Sequence, residues 1–223
     1  MAQTQLTASD GVTLGAYEAK PASAAKGGVV VIQEIFGVNQ HIREVVDGYA
    51  DAGYVAIAPQ IFDRIDANIE LGYEPADMER GIGLAFNQLD RDGTLLDIQA
   101  AIDAAAVYGK VGVVGYCFGG LLTWLSACEL SGLSAASAYY GGGIAGELAR
   151  SPKVPIMMHF GAQDAHIPVT DVDKIRAAQP EAVVHLYDAD HGFNCNHRGS
   201  FDAAASAAAN ERTHALFAEH LAK

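Results

Sequence analysis

The chain has 223 residues, half of them apolar, and 14 Lys and Arg stand against 27 Asp and Glu for a formal net charge of −13. So negative a balance argues against nucleic acid or an anionic membrane as partner, and any anionic small ligand would need a local cluster of positive charge. No apolar run approaches the roughly 18 residues of a membrane span, and residues 1–7 have neither the basic nor the apolar stretch of a signal peptide. Three cysteines, at 117, 128 and 195, are an odd set for a disulfide framework, so a reducing cytoplasm is the expected setting. The length suits one α/β domain over residues 1–223.

Residues 6–17 read as a hairpin turning at Asp10-Gly11. Residues 28–33 are a continuous apolar run, hence a buried parallel strand, and it ends in Glu34. Residues 41–52 have helical spacing at Ile42, Val45, Val46 and Tyr49 and stop at Gly53, and residues 54–59 are the next strand. From 60 to 80 the chain turns polar and irregular around Pro75. That is long for a connector, so a functional lid is expected there. Residues 94–108 predict a helix with Thr94 as its cap. Strands follow at 110–114, 133–140, 154–160 and 183–187, with helices from 121 and over 169–178. Residues 200–223 form an Ala-rich closing helix in one piece or two. The alternation predicts a mostly parallel central sheet with helices on both faces and an N-terminal hairpin. Phosphate-cradling glycine motifs are missing after the first strand, so no nucleotide cofactor is expected.

Between a strand and a helix stands Gly115-Tyr116-Cys117-Phe118-Gly119-Gly120. Strand, Gly-x-Cys-x-Gly, helix is the layout of a nucleophile elbow with cysteine in the usual place of serine. The turn is so tight that a Cβ two residues before or after Cys117 would collide with strand or helix. The helix N-terminus aimed at the sulfur favours thiolate over thiol. The plainer alternative is a tight turn around an inert core cysteine. A cysteine nucleophile needs an imidazole and a carboxylate to orient it, in the chain order nucleophile, acid, histidine. Asp164 and His191 follow the last two strands and meet that order. Of the rivals, His159 lies inside a strand and should be packed and hydrogen-bonded. His166 sits in the acid's loop, His185 should face outward, and Asp188 and Asp190 are too close in sequence to reach round the ring. A metal cluster of His191, Cys195 and His197 lacks a second ligand pair at the right spacing, so no metal is expected. Glu34 is expensive to bury alone, which calls for a partner arginine or a place beside the thiol. Its loop also supplies an oxyanion donor in such folds, which assigns the hole to the backbone N–H groups of Ile35 and Phe118.

These segments resemble the dienelactone hydrolase family of α/β-hydrolases. The marks are Gln33-Glu34-Ile35-Phe36-Gly37, Ala58-Pro59-Gln60-Ile61-Phe62, the turn around Cys117, His159-Phe160-Gly161-Ala162-Gln163-Asp164, His191-Gly192-Phe193 and Asn210-Glu211-Arg212-Thr213. The resemblance implies an α/β-hydrolase fold and a cysteine hydrolase of small lactones or esters with Cys117, Asp164 and His191 as triad. It further implies that Glu34 holds the resting thiol neutral. Family members that open a dienelactone grip its carboxylate with two arginines, and Arg80 matches one of them. Cys195 stands at the position of the other, with Arg198 three residues on, either reaching in or a solvated loop charge. Leu84 replaces an aromatic hydroxyl. The expected partner is a small lactone or ester, with the chain a monomer or homodimer. The competing expectation is a thiol sensor that keeps the fold and pairs Cys117 with Cys195.

Overall fold

The computed structural model describes residues 2–222. Strands β1 (Ala2–Thr7) and β2 (Thr13–Ala19) form the antiparallel hairpin expected, turning through Gly11 at φ +88°. They join β3 (Gly28–Ile32), β4 (Val55–Pro59), β5 (Val111–Tyr116), β6 (Leu133–Tyr139), β7 (Ile156–Gly161) and β8 (Val183–Tyr187). All lie in one sheet of order β1-β2-β4-β3-β5-β6-β7-β8, parallel from β4 onward. Every residue of β3 and β5 is buried, as an all-apolar strand covered on both faces must be. Strand order reverses between β3 and β5. The loops leaving these two strands therefore diverge and open a crevice at the sheet's carboxyl edge.

Helices α1 (Gln40–Asp51) and α6 (Ala203–His220) cover one face and meet where Tyr49 packs on Phe217. Helices α3 (Arg91–Ala106) and α4 (Phe118–Glu129) pack together on the other. The irregular stretch carries more order than its polarity suggests. A 3₁₀ turn, Ile61–Arg64, leads by a loop to α2 (Pro75–Ile82), which runs on into a π turn at Gly83–Gln88. Arg64 anchors it with a two-pronged contact, 2.7 and 2.8 Å, to the buried carboxylate of Asp97 on α3.

Helix α3 starts three residues before the expected cap. Asp90 accepts from the Gly93 N–H at 2.7 Å, and Thr94 sits in the first turn with its hydroxyl on the Asp90 carbonyl. The closing helix α6 is continuous and capped by Asp202. Between them α5 (Val169–Ala178) follows β7.

His159 is fully buried, as expected, while His185 is only half-exposed and stacks on it at 5.5 Å from the paired position of β8. Polar contacts fasten α6 to the strands. Arg212 donates to the Tyr187 hydroxyl at 2.9 Å, which meets His159 Nδ1 at 2.8 Å, and His159 Nε2 lies 3.1 Å from Thr213 Oγ1. Thr213 also bonds Ser137 and Tyr139, each at 2.8 Å. From Tyr139 the contacts run to Asn210, Ser206 and Asn194. Among the described residues no helix is long and apolar enough to cross a membrane.

Candidate active site

β5 ends at Tyr116, and the next residue, Cys117, has its backbone forced to φ +55°, ψ −114°. Such a conformation costs a non-glycine residue about 1–3 kcal/mol and persists only where the surroundings impose it. Here a Cβ on Gly115 would overlap the Gly119 carbonyl, and one on Gly119 would overlap the Ile32 carbonyl of β3. The Cys117 N–H is tied to the Tyr139 carbonyl at 3.0 Å, and its own carbonyl takes the Gly120 N–H at 2.9 Å. Phe118 is the first residue of α4, so its N–H is one of those without an acceptor inside the helix. Ile35 leaves β3 across the crevice and lines the same cavity as Phe118 and Cys117.

Asp164 and His191 are brought together by adjacent strands. The loop after β7 buries the Asp164 carboxylate completely, and its Oδ2 lies 2.7 Å from His191 Nδ1. Its Oδ1 accepts the backbone N–H groups of His166 at 2.8 Å and Ile167 at 3.1 Å. Burial pushes the Asp164 carboxyl up, but His191 and the two N–H groups outweigh it and hold it below its usual value. Burial lowers His191, yet its hydrogen bonds with the acceptor Asp164 and with Cys117 raise it to about 10. Cys117 and His191 open into a cavity of about 480 Å³ whose far wall is Met78, Ile82 and Phe86.

Glu34 sits at the head of β3 with no exposed surface. Its Oε1 is 3.3 Å from Arg198 Nη1, and its Oε2 meets no hydrogen-bond partner among the described residues. The Arg198 guanidinium lies over the rings of Phe36 and Tyr73, 5.7 and 6.0 Å from their centroids. Cys195 is buried and donates to the Tyr73 hydroxyl at 3.3 Å, and burial pushes its thiol up to about 11. All three cysteines are free.

The model of the dienelactone hydrolase family matches residues 14–221. The chain belongs to that family. A carboxymethylenebutenolidase from Pseudomonas putida is 35% identical over 91% of this chain and 90% of its own. Carboxymethylenebutenolidase 1 of Cupriavidus pinatubonensis is 32% identical over 96% and 95%. A crystal structure assigned as a dienelactone hydrolase from Klebsiella pneumoniae superposes with a TM-score of 0.82 at 29% identity, covering 98% of both chains.

For this dienelactone hydrolase family member the geometry redistributes the arginines. Arg80 is exposed and lies off the cavity. It is two residues from both Met78 and Ile82, so on α2 it points about 200° away from the face those side chains present. Arg198 lines the cavity, joined by Arg91, which bonds Glu147 at 2.6 Å. Leu84 is buried, and the aromatic group on that wall is Phe86, edge-on to Phe118 at 5.3 Å. His191, Cys195 and His197 do not gather as a ligand group among the described residues. His166 is part of the cavity although it is not the residue held by Asp164 through its ring. Tyr140, at φ +36° with its ring 5.1 Å from His191 and its hydroxyl unpartnered among the described residues, went unread in the sequence. The signal available was the Tyr-Gly boundary at a strand end. Arg91 was obscured by placing the helix start at Thr94.

Proposed function

We propose that this protein hydrolyses a small lactone or carboxylic ester through Cys117, with His191 and Asp164 as its partners. The observation that carries the reading is the 2.7 Å contact of His191 with a fully buried Asp164 in the cavity that holds Cys117 at a helix mouth. The thiolate attacks the carbonyl carbon, and the Phe118 and Ile35 N–H groups receive the charge that develops on oxygen. When the C–O bond breaks, His191 protonates the leaving oxygen, which in a lactone stays tethered to the acyl group. Water then attacks the thioester with His191 as base, and the carboxylate product leaves as the thiol re-forms.

Glu34 holds the resting thiol neutral from beside the turn, which protects it from oxidation. In this reading Arg198 and Arg91, which line the cavity, receive a substrate carboxylate, and Arg80, which lies off it, does not. Thiol sensing by a Cys117–Cys195 pair has less support, because Cys195 is buried and engaged with Tyr73.

The test is steady-state hydrolysis of an anionic dienelactone beside a neutral aryl ester of similar size, by the wild type and Cys117→Ala. A dienelactone preference of about a hundredfold, roughly 2.7 kcal/mol of transition-state stabilisation, is expected, with turnover abolished in the variant. Undiminished activity of Cys117→Ala would overturn the reading.

A further inference from the structure

A second cavity, of about 350 Å³, lies between α1 and α6, away from Cys117. Helix α1 presents His41, Glu44 and Gly48 to it, at the i, i+3 and i+7 spacing of one helical face, and α6 presents Asn210 and His214 from the other side. His41 forms its floor. The residue is 3% exposed, and neither ring nitrogen makes a well-formed hydrogen bond among the described residues, although the Asn196 side chain lies close enough to act on the ring. A buried polar atom left bare costs about 1–3 kcal/mol, so an imidazole well bonded at neither nitrogen calls for an explanation.

His197 supplies it from the loop beyond His191. Its Nε2 lies 2.8 Å from Glu44 Oε2, and its ring stands 5.8 Å from His41 at a 59° tilt, which excludes face-to-face stacking. One donor atom from each of His41, Glu44 and His197 falls within 4.8 Å of the others. Glu44 and His197 are 44% and 28% exposed at their side chains, so the group is reachable from solvent. Two imidazoles and a carboxylate with room for water are a ligand set that suits a zinc-class divalent ion. We propose that His41, Glu44 and His197 bind such an ion.

His41 also adjoins Glu34 and Cys195, one donor atom of each lying within 4.8 Å. That buried trio is the poorer host. An ion there would have to break the Cys195–Tyr73 bond and compete with Arg198 for Glu34, whereas the outer set gives up only the Glu44–His197 contact. With one ring nitrogen on the ion, the other must carry the proton, and the bare Glu34 Oε2 is an acceptor in its neighbourhood. The outer ion and the carboxylate beside the nucleophile would then share one imidazole.

The experiment titrates Zn²⁺ alone, and Co²⁺ alone, into the full chain carrying Cys117→Ala, which removes the triad thiol as a competing ligand. Calorimetry should give one ion per chain. Loss of a second-shell group alone costs metal sites about tenfold or more, so His197→Ala and Glu44→Gln, both surface substitutions, should each weaken binding at least that much. His214→Ala, on the opposite wall, should leave it unchanged. The proposal fails if no ion binds at millimolar concentration, or if binding survives both variants. It fails equally if the cobalt complex shows a thiolate charge-transfer band that Cys195→Ser removes.

Discussion

The loops after β7 and β3 each bury one carboxylate, and they treat it in opposite ways. Asp164 has both oxygens engaged, by two backbone N–H groups and the His191 ring, all between 2.7 and 3.1 Å. Glu34 has one 3.3 Å contact and one bare oxygen. A group with both oxygens engaged is fixed in one orientation. A group half answered can exchange partners at little cost, provided a charge stays near. The first arrangement suits a residue that must hold a ring still, the second one that must change sides.

The largest test of that contrast is Asp164→Asn. It preserves shape but presents an N–H to the ring, and kcat on the neutral ester should fall by about ten-thousandfold with KM little changed. A fall below about tenfold would remove Asp164 from the role of orienter. The same pair should show in the pH dependence of stability. His191 is raised to about 10 from 6.5, so its contribution is complete below about 6.5 and is lost as the pH rises through about 10. Asp164 is lowered, so its contribution is present above its ordinary value near 3.8 and is lost as the pH falls through the depressed one. Denaturant titrations should show lower stability near pH 10 than at neutral pH. His191→Gln should flatten that slope, and a slope left intact would place the titration elsewhere.

Arg198→Met leaves Glu34 without its cation and should cost about 2 kcal/mol of unfolding free energy, part of it restored when Glu34→Gln is added. Additive losses in the double variant would mean that the two side chains do not interact. Glu34→Gln alone should change kcat by no more than about tenfold, yet alkylation of Cys117 by iodoacetamide at neutral pH should quicken by about tenfold, because a negative charge beside the thiol is gone. Slower alkylation would count against a resting hold by Glu34. Smallest of all, Arg80→Ala should leave KM for an anionic lactone within about twofold, as its outward direction on α2 requires. A large rise in KM would return Arg80 to the substrate.

What could be read in advance follows the same division between fixed and adjustable parts. β3 and β5 announce themselves as unbroken apolar runs, and the glycines around Cys117 are demanded by sterics that any chain making this turn must meet. Asp164 and His191 each stand just past the carboxyl end of a strand that the sequence marks, and the structure brings their side chains together. The wall opposite is not so marked. Whether Arg80 faces the cavity depends on the rotational phase of α2, which is set where Gly81 passes against the Ile35 carbonyl, and Arg91 reaches the cavity from the first turn of α3. The start of α3 was misplaced because Asp90 and Thr94 are both good caps, and the apolar period begins only near the second. A histidine next to Ile42 at the head of an amphipathic helix carries no sequence signal of burial, yet His41 is buried.

The polar contacts of α6 have one further consequence, which lies in their direction. Arg212 can only donate, so Tyr187 accepts from it and keeps its single proton for His159 Nδ1 when that nitrogen is the acceptor. His159 then keeps its proton on Nε2 and gives it to Thr213. Tyr139 donates to the Asn210 oxygen, so it receives from Thr213, and the Asn210 amide passes the polarity through Ser206 to Asn194. With Tyr139 giving its proton to Asn210, the chain of protons runs one way, from the C-terminal helix to the loop three residues past His191. It holds only while His159 is neutral, and burial pushes that ring down to about 3. Below about 6.5 the unfolded chain takes up a proton that the folded one refuses until about 3, so stability falls with pH across that window at the contacts that fasten α6 to the sheet.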